Sequence, residues 1–180
     1  MKVLIIINYY YPYISGLSET ARILAESLAK NHNNKVTVLC SNHAKLETNE
    51  VINGVNVVRA PIMFKISKGT VSLKFITWAK KLSKENDVVC VVSPMLESGL
   101  LFKIIDKKKL VLAYHCDVNL EPSLINNFIV KVMDTSHKIA MKNSNKIVVT
   151  TKDYAKSSRV ASKFLDKSVE IAPNFKEKDY

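Results

Sequence analysis

Glycine, proline and cysteine are scarce in this chain of 180 residues, which has 4 glycines, 5 prolines and 3 cysteines. This scarcity of glycine and proline, with a hydrophobic content of 47%, argues against a disordered chain. Cys40, Cys90 and Cys116 show no CxxC spacing and lie in or just after predicted strands, so we expect reduced thiols rather than disulfides. Since no apolar run has the length of a membrane span, we expect one soluble domain over residues 1–180.

Several signatures of cofactor and metal binding are also missing. The first predicted strand is not followed by GxGxxG, and the second ends at Cys40 and Ser41 without an acid, which argues against a nicotinamide enzyme. No GxxxxGK[ST] is present, which excludes a P-loop. The histidines have no metal-ligand spacing, so we expect no metal site.

Acidic residues are few relative to basic ones: 16 against 27, for a formal net charge of +11. Such an excess favours an anionic partner, namely nucleic acid, an anionic membrane surface or a phosphorylated substrate. A lysine-rich surface that serves solubility explains the charge equally well, and composition alone does not separate these readings.

The first thirty residues have the pattern around which the rest is organised. Lys2–Asn8 is a continuous apolar run that predicts a strand buried on both faces. Tyr9–Ser18 predicts a loop, in which Gly16 allows a close approach of a ligand, and Ser18 is the expected N-cap of an amphipathic helix. Ligands collect at such a first strand-loop-helix unit, so we expect the active face here.

Alternating strands and helices continue to the end of the chain. The pattern predicts a Rossmann-like α/β fold, with a doubly wound, mostly parallel sheet of about seven strands and helices on both faces. The predicted strands are Lys2–Asn8, Lys35–Cys40, Val55–Arg59, Asp87–Val92, Leu110–Tyr114, Lys146–Thr150 and Ser168–Ala172, and Ser41–Glu50 is predicted as a loop. The first predicted helix follows its N-cap at Ser18. The other predicted helices are Thr70–Lys84, Glu97–Ile105, Ser123–Lys142 and Asp153–Ser162.

The helix over Thr70–Lys84 is basic and amphipathic and carries Trp78. Two interpretations fit it. Lys74, Lys80 and Lys81 are predicted membrane contacts if the helix lies on an anionic bilayer. The alternative, which the spacing favours, is that its apolar stripe packs on the sheet as crossover helices do.

His115 and Asp117 follow directly on a strand that we expect to be central. Side chains at this end of a parallel sheet face the ligand crevice, where an imidazole can hydrogen-bond a sugar or phosphate or transfer a proton. The alternative is structural: His115 satisfies a neighbouring carbonyl and Asp117 caps a turn.

Several stretches together resemble the amino-terminal half of family-four (group 1) glycosyltransferases. The resemblance is carried by Tyr11–Ser41 (YPYISGLSETARILAESLAKNHNNKVTVLCS), Asn53–Pro61 (NGVNVVRAP), Leu110–Asp117 and Ser144–Asn174. It implies a GT-B enzyme, in which this chain is the acceptor-side domain and a donor-binding carboxyl-terminal domain is absent from it. The implied reaction is retaining transfer of a hexose from a nucleotide sugar to a glycan or lipid-linked acceptor, in cell-surface polysaccharide synthesis, without a cofactor.

The resemblance also assigns residues. His115 matches the family's cleft histidine near the transferred sugar and is the candidate catalytic residue. Ser15 and Gly16 match its glycine pair near the phosphates and acceptor, and the family's acidic residue after that pair aligns with Ser18. We therefore predict Ser15, Gly16, Ser18 and Asp117 as substrate contacts, and a cytoplasmic protein peripheral to the inner face of the membrane.

A non-catalytic module is the competing interpretation. A basic Rossmann-like domain can bind a phosphorylated ligand or nucleic acid without chemistry. No RRM, KH or helix-turn-helix signature is present, so we expect no nucleic-acid partner.

Overall fold

Strands and helices alternate along the chain. A computed structural model describes residues 1–31, 34–66 and 69–171. Within these residues the strands are β1 Lys2–Ile6, β2 Lys35–Ser41, β3 Asn49–Ile52, β4 Val55–Ala60, β5 Phe64–Ile66, β6 Gly69–Val71, β7 Val88–Ser93, β8 Leu110–Tyr114, β9 Lys146–Val149 and β10 Ser168–Glu170. The helices are α1 Gly16–Asn31, α2 Leu73–Glu85, α3 Ser98–Ile104, α4 Leu124–Asn143 and α5 Lys152–Ser157, with 3-10 turns at Lys107–Lys109 and Ala161–Lys167.

Eight of these strands form one sheet in the order β10-β9-β8-β7-β1-β2-β4-β3. The strands run parallel in the β1–β2, β2–β4, β8–β9 and β9–β10 pairs, while β3 lies antiparallel to β4. Helices flank this mostly parallel sheet, which is consistent with the predicted Rossmann-like doubly wound fold. Contacts divide the chain into two compact units, Met1–Cys90 and a second that begins at Val91.

The first unit is built on β1. All five residues from Val3 to Ile7 are at most 4% exposed, as the continuous apolar run predicts for a strand covered on both faces. Ala21 and Ala25 of α1 and Phe75 and Ala79 of α2 are buried as well. Alternating small and large side chains therefore fill the core of this unit.

Three predictions about the first unit are wrong in detail. Residues 41–50 are not all loop, because Asn49–Ile52 forms β3 and pairs with β4 through a turn at Asn53 and Gly54, both with positive φ. The helix predicted from Thr70 begins at Leu73, because Gly69–Val71 pairs with β5 as a two-stranded hairpin. Ser18 is not the N-cap of α1; the helix starts at Gly16.

The second unit has its core between β8, β9 and the helices α3 and α4. Leu112, Ile147 and Phe102 are fully buried in it. The helix predicted over Asp153–Ser162 is shorter, since α5 ends at Ser157 and Ala161–Lys167 forms a 3-10 turn. The predicted last strand begins at Ser168 as expected and ends at Glu170, while Ala172 lies outside the described residues.

Gly99 sets the distance between α3 and α4. Its N–H donates to the Ser136 hydroxyl at 2.9 Å, and that hydroxyl donates to the Leu96 carbonyl at 2.5 Å. A Cβ at position 99 would lie 2.8 Å from the Ser136 carbonyl oxygen, which belongs to the α4 backbone and cannot rotate away. The two helices therefore approach as closely as they do because residue 99 has no side chain.

We expect Gly99→Ala to destabilise the protein by about 1–3 kcal/mol, since one helix must shift to admit the methyl group. The measurement is urea unfolding followed by circular dichroism. Gly16→Ala is the matched control: a Cβ there meets nothing within 4 Å, and φ is not positive, so its stability should equal or exceed that of the wild type. Equal midpoints for the two variants would show that α3 and α4 can separate at little cost.

Candidate functional site

The loop between β1 and α1 presents exposed side chains at the carboxyl end of a buried strand. Tyr10 is buried and fixes the loop to the core of the first unit. Tyr11, Tyr13 and Ile14 are exposed, at 45%, 39% and 79%. The predicted active loop thus combines one internal anchor with an accessible apolar and aromatic surface.

Ser15 and Ser18 cap the amino terminus of α1 reciprocally. The Ser18 N–H donates to the Ser15 hydroxyl at 3.2 Å, and the Ser15 N–H donates to the Ser18 hydroxyl at 2.8 Å. The buried Ser18 hydroxyl also donates to a carbonyl of the turn, with the Tyr13 oxygen 2.7 Å away. This is a capping box with Ser15 at the N-cap, so both predicted contact residues have an internal structural role.

Gly16 opens the first turn of α1. It is exposed, and space is open where its side chain would be. Its φ is not positive, so the backbone at this position does not require glycine. What the missing side chain leaves is room, and a ligand can approach the helix terminus there.

Arg59 fixes this loop through a hydrogen bond to its backbone. The sequence pattern did not single out this residue. Its side chain is fully buried and donates to the Tyr11 carbonyl at 3.2 Å and the Glu47 carbonyl at 3.1 Å. It also pairs with the Glu50 carboxylate at 2.8 Å. An arginine at the end of an otherwise apolar strand, VNVVRA, was the available signal.

Tyr9, Tyr13 and His43 form an aromatic cluster beside the loop. The ring centroids of Tyr9 and Tyr13 are 4.6 Å apart, and His43 lies 5.6 Å and 5.4 Å from them. Burial lowers the pKa of His43, which favours its neutral form. The contact of His43 with two tyrosines about thirty residues away is made by the fold and has no signal in the local sequence.

His115 lies just past β8 in the second unit. Its N–H donates to the Ser93 carbonyl at 3.1 Å, which fixes the backbone. The imidazole is half-buried and has no hydrogen-bond partner among the residues that the structure describes. Because burial lowers the pKa of His115, the neutral ring is favoured near pH 7, and in that form one nitrogen donates and the other accepts.

Asp117 differs from His115, because its carboxylate already accepts three hydrogen bonds from the chain. It accepts from the Tyr114 hydroxyl at 2.6 Å, the Ser158 hydroxyl at 2.7 Å and the Arg159 N–H at 2.9 Å. Burial opposes its ionisation, but these hydrogen bonds outweigh burial and lower the pKa of Asp117. The backbone N–H of Asp117 donates to the Tyr154 hydroxyl at 2.6 Å, so this residue ties the end of β8 to α5 and the turn after it.

Arg159 extends the same network to α4. Its guanidinium donates to the Asp134 carboxylate at 3.2 Å, to the Asn119 side chain at 2.5 Å and to the Val118 carbonyl at 2.8 Å. The loop that follows His115 is therefore held from two sides. This rigid support is what a residue that positions a substrate needs.

The predicted site residues thus fall into two groups. Ser15, Gly16 and Ser18 are together in the first unit, and His115 and Asp117 are together in the second. Two of them, Gly16 and His115, leave open space or free polar atoms to a ligand. The other three make hydrogen bonds within the chain.

Lys74, Lys80 and Lys81 of α2 are all exposed, as membrane contact requires. The apolar side of the helix is not available, because Phe75 and Ala79 are buried in the first unit. Packing of the apolar stripe is therefore the interpretation that the burial supports. Lys81 also lines a shallow groove of about 380 Å³, together with Asn49, Asn56, Val58, Trp78, Leu82 and Glu85.

The described residues contain no group of three or more histidine, cysteine or acidic side chains placed to hold a metal ion. His32 lies outside them, as do Pro173 and Asn174, which close the segment of resemblance. Cys40, Cys90 and Cys116 form no disulfide, and burial raises the pKa of the Cys40 thiol to about 12. Within residues 1–31, 34–66 and 69–171, none of the helices has the length and hydropathy to cross a bilayer.

Comparison with known proteins leaves the family open. No protein-family model matches the chain, and a search of curated proteins gives no significant match. The chain has a Rossmann-like fold with an accessible aromatic loop in one unit and, in the other, a histidine whose imidazole has no hydrogen-bond partner among the described residues.

Proposed function

We propose that this chain is the acceptor-binding domain of a retaining glycosyltransferase that moves a hexose from a nucleotide sugar to a hydroxyl of a glycan or lipid-linked acceptor. The observation that carries the proposal is His115: a half-buried, neutral imidazole without an internal partner in the described structure, on a loop fixed by Asp117. A histidine at the carboxyl end of a parallel strand can contact a substrate when its imidazole makes no hydrogen bond within the described chain.

In this proposal His115 hydrogen-bonds the transferred sugar or steadies the charge that develops on its ring. A neutral imidazole suits this task, because it donates from one nitrogen and accepts at the other without repelling positive charge. The enzyme's contribution is positioning of donor and acceptor and electrostatic stabilisation of the departing diphosphate. Asp117 acts as a positioning residue that keeps the loop of His115 in place.

The loop between β1 and α1 forms the acceptor pocket in the same proposal. Tyr13 and Tyr11 offer partly exposed aromatic surface, and Gly16 leaves space beside the amino terminus of α1. Pockets for small polar ligands combine apolar walls with a few fixed polar groups, which this loop has. The donor is bound mainly by a further domain, so the chain alone should have little or no activity.

The first test is the intact mass of the native gene product. A mass of about twice the 20.3 kDa of this chain is expected, which leaves room for a donor-binding domain of similar size. A native mass of 20.3 kDa would require the donor half to come from a separate protein, which affinity purification from the source cell would then have to recover. A native mass of 20.3 kDa together with no donor-binding partner in the purification would overturn the proposal.

The second test is His115→Ala in the native gene product. We expect turnover with hexose-labelled nucleotide sugars to fall by more than about tenfold, because a contact to the reacting sugar is lost. The fold should remain intact, since the side chain makes no hydrogen bond within the described chain. Circular dichroism before and after heating checks this.

Cys116→Ala is the matched control, one residue away and exposed. It should keep turnover within about twofold of the wild type. Wild-type turnover in His115→Ala would assign His115 a structural role and remove the main support for the proposed chemistry. Tight, steeply salt-dependent binding of RNA or DNA together with no sugar transfer would instead establish the non-catalytic module.

A further inference from the structure

α4 carries the three most exposed of the large apolar side chains in the described part of the second unit. Leu124 is 91% exposed, Ile125 73% and Phe128 68%, and Val132 on the same helix is 38% exposed. The opposite side of the same helix is buried through Ser136, His137, Ala140 and Met141. The helix is thus fixed to its unit by its second half, while the apolar side chains of its first half have no cover among the described residues.

The same side of the helix is basic farther along. Residues 124, 128, 131, 135, 138 and 142 follow one another at intervals of three or four, so they lie along one line of the helix. Three of them are lysines, Lys131, Lys138 and Lys142, and none is acidic. Ile125 and Val132 lie to one side of this line, and Asp134, the acidic residue of α4, lies about as far round the helix on the other side and is paired with Arg159. We call the line, with Ile125 and Val132 on its flank, the α4 outer face.

We propose that the α4 outer face docks on an anionic lipid bilayer. Leu124, Ile125 and Phe128 enter the boundary between headgroups and acyl chains, and Lys131, Lys138 and Lys142 contact lipid phosphates. The large apolar side chains match the acyl region of such a bilayer, and the lysines match its anionic headgroups. This inference does not rest on glycosyl transfer, because lipid binding is measured without turnover.

A bilayer fits this face better than a protein does. A standard protein interface takes roughly 20 to 30 residues from each partner, whereas the exposed apolar group consists of four side chains in the first turns of one helix. An interfacial helix needs only a few deep anchors and a basic flank. A second copy of the chain would also bring the lysines of this face near one another, where they repel.

The α4 outer face differs from the surface that the sequence predicted. On α2 the lysines are exposed and so is Leu73, at 67%, but Phe75 and Ala79 are buried, so this helix has one strongly exposed apolar side chain where α4 has three. On α4 the anchors and the charges share one face. Exposure, rather than the amphipathic pattern, is what separates the two helices.

The experiment is co-sedimentation of the protein with phosphatidylcholine vesicles that contain about 30% phosphatidylglycerol. The apolar variant is Leu124→Gln/Phe128→Gln, which leaves the net charge unchanged. The charge variant is Lys131→Gln/Lys138→Gln/Lys142→Gln. Its matched control is Lys74→Gln/Lys80→Gln/Lys81→Gln, which removes the same number of charges from α2.

We expect the apolar variant and the charge variant each to weaken binding by at least about tenfold, and the α2 control to change it by less than about threefold. Wild-type affinity in the apolar variant would overturn the proposal. Equal weakening by the charge variant and the α2 control would also overturn it, because binding would then depend only on the net charge of the protein. A wild-type dimer in light scattering that the apolar variant converts to monomer would make a second copy the occupant.

Discussion

Replacing Arg59 with methionine should cost about 1–3 kcal/mol of folding free energy. The guanidinium is fully buried, and three acceptors depend on it: the carbonyls of Tyr11 and Glu47 and the carboxylate of Glu50. Methionine fills a similar volume but donates nothing, so the two carbonyls lose their donor and Glu50 loses its partner. A change of this size is a large part of the 5–15 kcal/mol by which domains are typically stable.

The loss should appear first in the candidate acceptor loop. Because Arg59 reaches the Tyr11 carbonyl, its removal frees the segment that carries Tyr13, Ser15 and Gly16. Hydrogen exchange followed by mass spectrometry should show faster exchange there than in the strands of the same unit. Urea unfolding measures the global loss.

Arg22→Met is the matched control, since Arg22 likewise forms ion pairs, in its case with two carboxylates. It bonds Glu19 at 2.7 Å and Glu26 at 3.1 Å, but on the surface of α1 and with 23% of its side chain exposed. Surface pairs of this kind contribute little, so we expect a loss below about 1 kcal/mol. Similar losses for the two variants would mean that the burial of Arg59 has no energetic consequence.

Acidification from about pH 7.5 to about pH 5 should destabilise the protein by about 2 kcal/mol through His137 alone. His137 is fully buried in α4, and its ring lies edge-on to Tyr114 with centroids 5.4 Å apart. Burial lowers the pKa of His137 to about 4, against an ordinary value of about 6.5. Asp134, the Met95 backbone and Asp117 favour the charged form, but neither ring nitrogen has a well-formed hydrogen bond in the described structure.

The direction follows from proton binding. Between about pH 6.5 and about pH 4 the unfolded chain holds a proton on this imidazole and the folded chain does not, so stability falls as pH falls. Burial also lowers the pKa of His115 and of His43, which adds to the effect in the same direction. The lowered pKa of Asp117 acts only below its ordinary range near pH 4, outside this window.

His137→Phe tests this prediction, because phenylalanine keeps the edge-on contact with Tyr114 and cannot be protonated. Urea unfolding at both pH values should show that this variant loses about 2 kcal/mol less than the wild type on acidification. His43→Gln, at a half-buried imidazole, should retain most of the wild-type loss. If His137→Phe is as sensitive to acid as the wild type, the source lies in another group. His137→Leu repeats the test should phenylalanine be too large for the site.

The regular part of the fold followed from the sequence. Lys2–Ile6, Leu110–Tyr114 and Leu124–Asn143 lie within two residues of their predicted limits, because continuous apolar runs and long apolar periodicity are local signals. The hairpin strand Asn49–Ile52 was missed because its residues, NEVI, are short and only partly buried. Its strand conformation comes from pairing with β4, a contact that no window of the sequence contains.

The candidate site divides in the same way. Sequence pattern predicted the loop after β1 and the histidine after β8, because both follow strongly apolar strands. It did not predict that Ser15 rather than Ser18 is the N-cap of α1, that Asp117 is occupied, or that Arg59 and His43 contact the loop. The last three depend on partners far away in the chain, 42 residues for Asp117 with Arg159 and 48 for Arg59 with Tyr11.

Burial is the property that the tertiary structure alone decided. In the sequence, Phe75 of α2 and Phe128 of α4 look alike, since each is an apolar residue on the apolar side of a predicted helix. In the folded chain Phe75 is 1% exposed and Phe128 is 68% exposed, because the sheet of the first unit covers one and no described residue covers the other. Periodicity fixes which residues share a face of a helix, whereas cover for that face depends on what packs against it.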